Sequence, residues 1–135
     1  MSRCALYTAN TSNQDVEING IIAPGTIVRR YGPNLNLSGN AIQLSGPGYY
    51  KIDTSITLAP VVEGEVTVSI YKDGVLLQGA TATATAAAAG DTVNLALSAI
   101  IREFCSCCEG LSNLTFVLTE GAATVTNIAI TVEKL

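Results

Sequence analysis

Apolar residues recur at every second position along most of the chain. Tyr50, Ile52, Ile56 and Leu58 share one side of an alternating run, with Thr54 among them. Val66, Val68 and Ile70 alternate with Thr67, Ser69 and Tyr71. Val93, Leu95, Leu97, Ala99 and Ile101 form a longer series, and Leu114, Phe116 and Leu118 alternate with Thr115, Val117 and Thr119. Ile128, Ile130 and Val132 close the chain. A period of two puts successive side chains on opposite faces of an extended strand, whereas a helix repeats about every 3.6 residues. Such a chain pairs its backbone in sheets and buries one face of each. The runs break at Pro24-Gly25, Gly32-Pro33-Asn34, Gly46-Pro47-Gly48, Asp73-Gly74, Gly90-Asp91 and Gly110, all residue types that favour turns. Asp73-Gly74 between two apolar runs predicts a tight hairpin. Many short strands separated by turn signals indicate an all-β sandwich or barrel.

At 135 residues the chain has room for one ordinary domain, and residues 1–135 are read as that domain. Residues 1–35 belong to the sandwich or form an N-terminal arm. The run QDVEINGIIAPGTIVRRYG holds enough Val and Ile for two short strands, which favours the sandwich. Residues 79–90, GATATATAAAAG, are ambiguous. Thr at every second position reads as a small-residue strand running into a loop; the alternative is a low-complexity loop.

Charge narrows the function. Hydrophobic residues make up 48% and charged residues 13%, against about 25% charged in an ordinary globular domain. Either the surface is unusually neutral or other subunits cover much of it. A net charge of −4 argues against nucleic acid as a partner, which needs clustered Lys and Arg. With no His at all, the Ser-His-Asp triad and most zinc and haem sites are excluded. Cys4 to Tyr7 is the only apolar stretch near the N-terminus, shorter than the roughly 7–15 residues of a signal peptide. No run approaches the roughly 18 apolar residues of a membrane helix. The sequence therefore predicts synthesis in a bacterial cytoplasm without a signal peptide, and no membrane insertion.

Candidate chemistry is sparse. Cys105, Cys107 and Cys108 sit in FCSCCEG, and Cys4 stands apart. On a strand Cys105 and Cys107 share a face at roughly 6.6 Å, the outer limit for a disulfide. Three readings stand: thiols with no special role, a disulfide with Cys4 or between chains, and a metal site made by converging copies. A structural zinc site wants two CxxC-like pairs, so no metal and no cofactor is predicted, with these three cysteines the candidates if one exists. Asp15 with Glu17 and Glu63 with Glu65 would each share a strand face; without EF-hand spacing they read as solvated edges. Arg29-Arg30 points to opposite faces and is no phosphate clamp. Gly46-Pro47-Gly48 precedes no helix, so it is no dinucleotide fingerprint. P-loop, HExxH and GxSxG motifs are missing. No enzyme activity is expected. Tyr31, Tyr49 and Tyr71 could line a ligand surface, or pack an edge or interface.

Four segments together carry a resemblance. GYYKIDTSI at 48–56, VTVSIYKDG at 66–74, GDTVNL at 90–95 and NIAITVEK at 127–134 resemble, in order, strands of the tumour-necrosis-factor/complement-C1q-like jelly roll. The flavour is that of bacterial and phage versions, such as exosporium-filament tips and small phage or prophage virion proteins. The family often follows a collagen-like stalk, and no Gly-x-y repeat precedes this region. The resemblance implies a two-sheet jelly-roll sandwich that assembles as a homotrimer. That would account for the low charge and the mean hydropathy of +0.39. Pattern and resemblance together place Tyr50, Ile52, Leu95, Leu97, Phe116, Ile128, Ile130 and Val132 at the trimer interface. The expected role is non-enzymatic, structural or adhesive: a phage head decoration, head fibre or appendage in the virion, with loops meeting capsid protein or a host-surface glycan or protein. The alternatives are a bacterial surface or spore-coat carbohydrate-binding adhesin, and an enzyme or metal protein built on the cysteine cluster.

Overall fold

In the computed structural model, which describes residues 4–32, 35–45, 47–103 and 111–135, the alternating runs are strands. They are β1 (Ala5–Asn10), β2 (Gln14–Val16), β3 (Gly20–Ile21), β4 (Thr26–Tyr31), β5 (Leu35–Ser38), β6 (Ala41–Ser45), β7 (Gly48–Pro60), β8 (Gly64–Lys72), β9 (Val75–Ala86), β10 (Val93–Glu103), β11 (Leu111–Glu120) and β12 (Ala123–Lys134). They form two antiparallel sheets. The front sheet runs β10-β7-β12-β1-β4, with β2 added to β12. The back sheet runs β5-β6-β11-β8-β9, with β3 added to β11. The hairpins β5–β6 and β8–β9 stay within the back sheet, while β7–β8, β9–β10, β10–β11 and β11–β12 cross between sheets. That wrapping is the double Greek key of a jelly roll. Residues 5–31 pair inside the two sheets rather than forming an arm, because β1 lies between β12 and β4.

Local chemistry explains the turns. Asp73 and Gly74 both have positive φ, 51° and 82°, the type I′ geometry whose twist matches a hairpin. The segment 79–90 resolves as the end of β9 followed by a loop. Ala80 and Ala86 point into the sandwich, and Thr81, Thr83 and Thr85 point out. Threonine's branched side chain favours the extended conformation, and the cross-strand bonds Thr67–Thr83 (2.8 Å) and Ser69–Thr81 (3.0 Å) fix the register against β8.

The core is continuous between the sheets. Leu6, Ile52, Ile56, Leu58, Ile128, Ile130 and Val132 face Leu44, Val66, Val68, Ile70, Leu114, Phe116 and Leu118. This corrects the expected interface. Tyr50, Ile52, Leu95, Leu97, Phe116, Ile128, Ile130 and Val132 are at most 5% exposed in the single chain. A neighbour has nothing left to bury there. Period two reports that one face is buried without saying by what, and here the facing sheet takes it.

Candidate subunit interface

Once the apolar faces are spent on the core, the outward faces decide what the chain can bind. Cross-strand register orders the front sheet's outer face into rows. One row reads Ala96, Ser55, Ala129, Ala9; the next reads Ser98, Asp53, Thr131, Tyr7, Arg29. From β10 to β1 no side chain in the first row is longer than serine, the row ending at Thr26 on β4, so its floor there lies below the second. The result is a shallow cleft of about 400 Å³ lined by Asp53, Ser55, Ala96, Ser98, Ala129 and Thr131, with Thr54 and Leu97 at its base. Asp53 is paired with Lys51 at 3.8 Å, both half-exposed. In solvent such a pair is worth little; here it leaves the cleft close to neutral.

The two flanks of the sandwich differ. On one flank lie the sheet edges β4 and β5. All of β4 is exposed, and its charges guard it: Arg30 Nη1 donates to Asn36 Oδ1 at 3.1 Å, bridging front to back sheet, while Arg29 stands on the outer face. On the other flank lie β10 and β9, in contact with one another. From Val75 to Ile101 the chain carries a single charge, Asp91. Ile100 on β10 is 63% exposed. Proteins normally blunt a free sheet edge with Lys, Glu or Pro. This flank has none of those in either strand up to Ile101.

The other sequence candidates fall as follows. Tyr31 is exposed on β4 and Tyr49 on β7, three strand spacings apart across the front sheet, about 14 Å. Tyr49 packs under Arg102, whose guanidinium carbon is 5.8 Å from the ring centre. Tyr71 is half-buried on β8, in the back sheet. The three tyrosines therefore do not converge. Cys105, Cys107 and Cys108 lie outside the described residues; Cys4 is buried just before β1. Among the described residues no three acidic or thiol groups are grouped to hold a metal ion. Both acidic pairs are exposed, as solvated edges should be. What the sequence reading missed is that they share one end of the sandwich. Asp15 accepts from Thr124 Oγ1 at 2.8 Å. Glu120 Oε1 accepts from Thr67 Oγ1 at 3.3 Å on β8, the neighbouring strand that also carries Glu65. The topology was needed to see this, because Asp15 and Thr124 stand 109 residues apart.

No family model and no curated protein matches the chain. Solved structures do match, over nearly the whole length. The TNF Eiger from S. frugiperda superposes with a TM-score of 0.74 at 10% identity, covering 98% of this chain and 91% of that one. The globular domain of zebrafish complement 1qA gives 0.70 at 8% identity, covering 97% and 95%. The PRD1 phage vertex protein gives 0.65 at 18% identity, covering 98% and 96%. The fold is the TNF/C1q-like jelly roll, and a phage structural protein is among the chains that share it.

Proposed function

We propose that the chain is a non-enzymatic structural subunit of a virion that assembles as a homotrimer through its flanks. The uncharged flank formed by β9 and β10 carries this reading. Left in water, it would be a long, unguarded pair of sheet edges, which is a liability in a monomer. Packed on the cleft-bearing face of the next copy, it meets a surface of matching character, with Ala and Ser in the cleft and Ala and Thr along the edge. Flank and face are different patches, so the contact is heterologous, and a rotation that closes makes a ring. Three copies is the ring that the resemblance to TNF/C1q-like domains favours, and the phage vertex protein that shares the fold supports a place in a virion. The strand ends would then present identical loops to capsid or host, where weak contacts add through multivalency.

Light scattering on a sizing column, with and without reductant, tests this. The expected mass is that of three chains in both conditions. A clean monomer would overturn it. A trimer only without reductant would shift the assembly onto the cysteines.

The second reading is a bacterial surface or spore-coat adhesin that binds carbohydrate. The exposed rings of Tyr31 and Tyr49 favour it; their separation limits each to a shallow contact of its own. Glycan-array binding that Tyr49→Ala abolishes would establish it.

A further inference from the structure

The strands run between two ends of the sandwich, and among the described side chains the two ends carry opposite charge. One end holds the Asp73-Gly74 turn, the other the turn at Gly121. Every cation among the described residues belongs to the half nearer Gly74: Arg29, Arg30, Lys51, Lys72, Arg102 and Lys134. Three carboxylates share that half with described side chains. Of these, Asp53 is paired with Lys51, Asp73 accepts from the Asn113 backbone N–H at 2.9 Å, and Glu133 lies across the sheet from Lys51. The Gly121 end gathers Asp15, Glu17, Glu63, Glu65, Asp91 and Glu120, with no described cation.

Both ends also expose apolar side chains. At the Gly121 end Val61 and Val62 project from the β7–β8 loop, Val62 at 62% exposure, beside exposed Ala87 to Ala89. Backbone bonds from Val61 to Ala122 (3.1 Å) and from Gly90 to Pro60 (2.8 Å) hold these loops together as one surface. At the Gly74 end Val75, at 68% exposure, and Leu76 form the hairpin tip beside Lys72. An apolar centre with an acidic rim faces one way; apolar groups among cations face the other.

We infer that assembled copies stack end to end, the Gly121 end of one seated on the Gly74 end of the next. Like ends repel, so the contact has one polarity. It uses two different patches and does not close, so it extends as a column. The inference rests on the trimer reading in one respect: flank-on-face assembly uses the sides and leaves the ends free.

Sedimentation velocity of the full chain at two salt concentrations tests it. Near 0.01 M the Debye length is about 30 Å, and near 1 M about 3 Å. At high salt one species is expected, and its mass reads the basic unit. At low salt, multiples of that unit appear and grow with protein concentration. The exposed double variant Glu63→Lys/Asp91→Lys loses the multiples and keeps the unit. Lys72→Glu/Lys134→Glu does the same. An equimolar mixture of the two regains a species of two units, because each supplies the end the other needs. A unit that never multiplies at low salt overturns stacking. So do multiples that persist in both reversed variants, since the contact then lies elsewhere. A unit of one chain refutes the trimer and leaves the stacking result readable on its own.

Discussion

Two hydroxyls stand in the core without a protein partner, and they offer a quantitative test of the packing. Thr8 and Thr54 lie on the inner side of the front sheet, in the row Thr8, Ile130, Thr54, Leu97. Thr8 is fully buried and Thr54 nearly so, and neither Oγ1 has a hydrogen-bond partner among the described residues. A buried hydroxyl left unpaired costs about 1–3 kcal/mol. Valine keeps the branched shape and the stiff χ1, and puts a methyl where the hydroxyl was. Thr54→Val therefore removes that cost and adds the transfer gain of an apolar group, about 0.8 kcal/mol. Part of both terms is already met in a compact denatured ensemble. The expected net is a stabilisation of about 1–2 kcal/mol. In a domain of this size each kcal/mol raises the Tm by about 3–5 °C. Thr8 and Thr54 are two strand spacings apart, about 10 Å, so the double Val variant should be additive to within about 0.5 kcal/mol. The assay is urea unfolding at one fixed protein concentration, because assembly adds to apparent stability. Thr54→Ser is the control: it keeps the hydroxyl and loses a methyl, so it should be less stable. If Thr54→Val is the destabilised variant and Thr54→Ser is neutral, the hydroxyl is satisfied, and the reasoning from unpaired burial is wrong.

Other substitutions separate folding from assembly. Ala96 is exposed in the cleft of the front sheet, so Ala96→Arg should change subunit stability by no more than about 0.5 kcal/mol. It should convert the proposed trimer to folded monomers by light scattering; an intact trimer would move the interface off that face. Ile130→Asp should unfold the subunit outright, because Ile130 is fully buried in the chain's own core and an unpaired charge there is expensive. Circular dichroism showing a folded monomer instead would return Ile130 to the interface. Gly25 and Gly74 both have positive φ, 90° and 82°, but differ in space. A Cβ on Gly25 would collide with the Ala9 carbonyl and lie 2.6 Å from Asn10 Cβ, whereas one on Gly74 meets nothing within 4 Å. Gly74→Ala should cost the conformational term alone, about 1–2 kcal/mol. Gly25→Ala should cost clearly more, and equal losses in denaturant unfolding would discount the clash.

Much of the fold was legible because strand chemistry is local. Alternation located β7, β8, β10, β11 and β12, and Asp73-Gly74 located the hairpin, since each depends on neighbours in sequence. The Ala/Thr segment 79–90 was harder. Alanine carries helix propensity, and the β8 partner that overrides it is distant in register terms: Thr67 and Ser69 supply the hydroxyls that Thr83 and Thr81 need. The short strands β2 and β3 showed as apolar content without a period. They exist because β12 and β11 offer edges to pair with.

The interface was not legible in the same way, and the reason is physical. Periodicity measures apolar faces, and in a two-sheet sandwich the largest apolar faces meet each other. Residues such as Ile130 and Phe116 are spent before a second copy arrives. What remains for assembly is written in the outward positions, where an apolar signal is weak and the distribution of charge is strong. Arg29 and Arg30 on β4 mark one flank as an edge built to face water or a partner of opposite charge. The near absence of charge from Val75 to Ile101 leaves the other without the residues that guard a free edge, which is why the proposed trimer contact is placed there. That run reads plainly once β9 and β10 are known to be adjacent edges, and means little before. The same holds for the ends. Glu17, Glu63, Asp91 and Glu120 are scattered in sequence and become one acidic surface only because four strands reverse there. For a sandwich of this kind, then, alternation predicts what folds a single copy, and the proposed contacts between copies rest on the placement of the few charges.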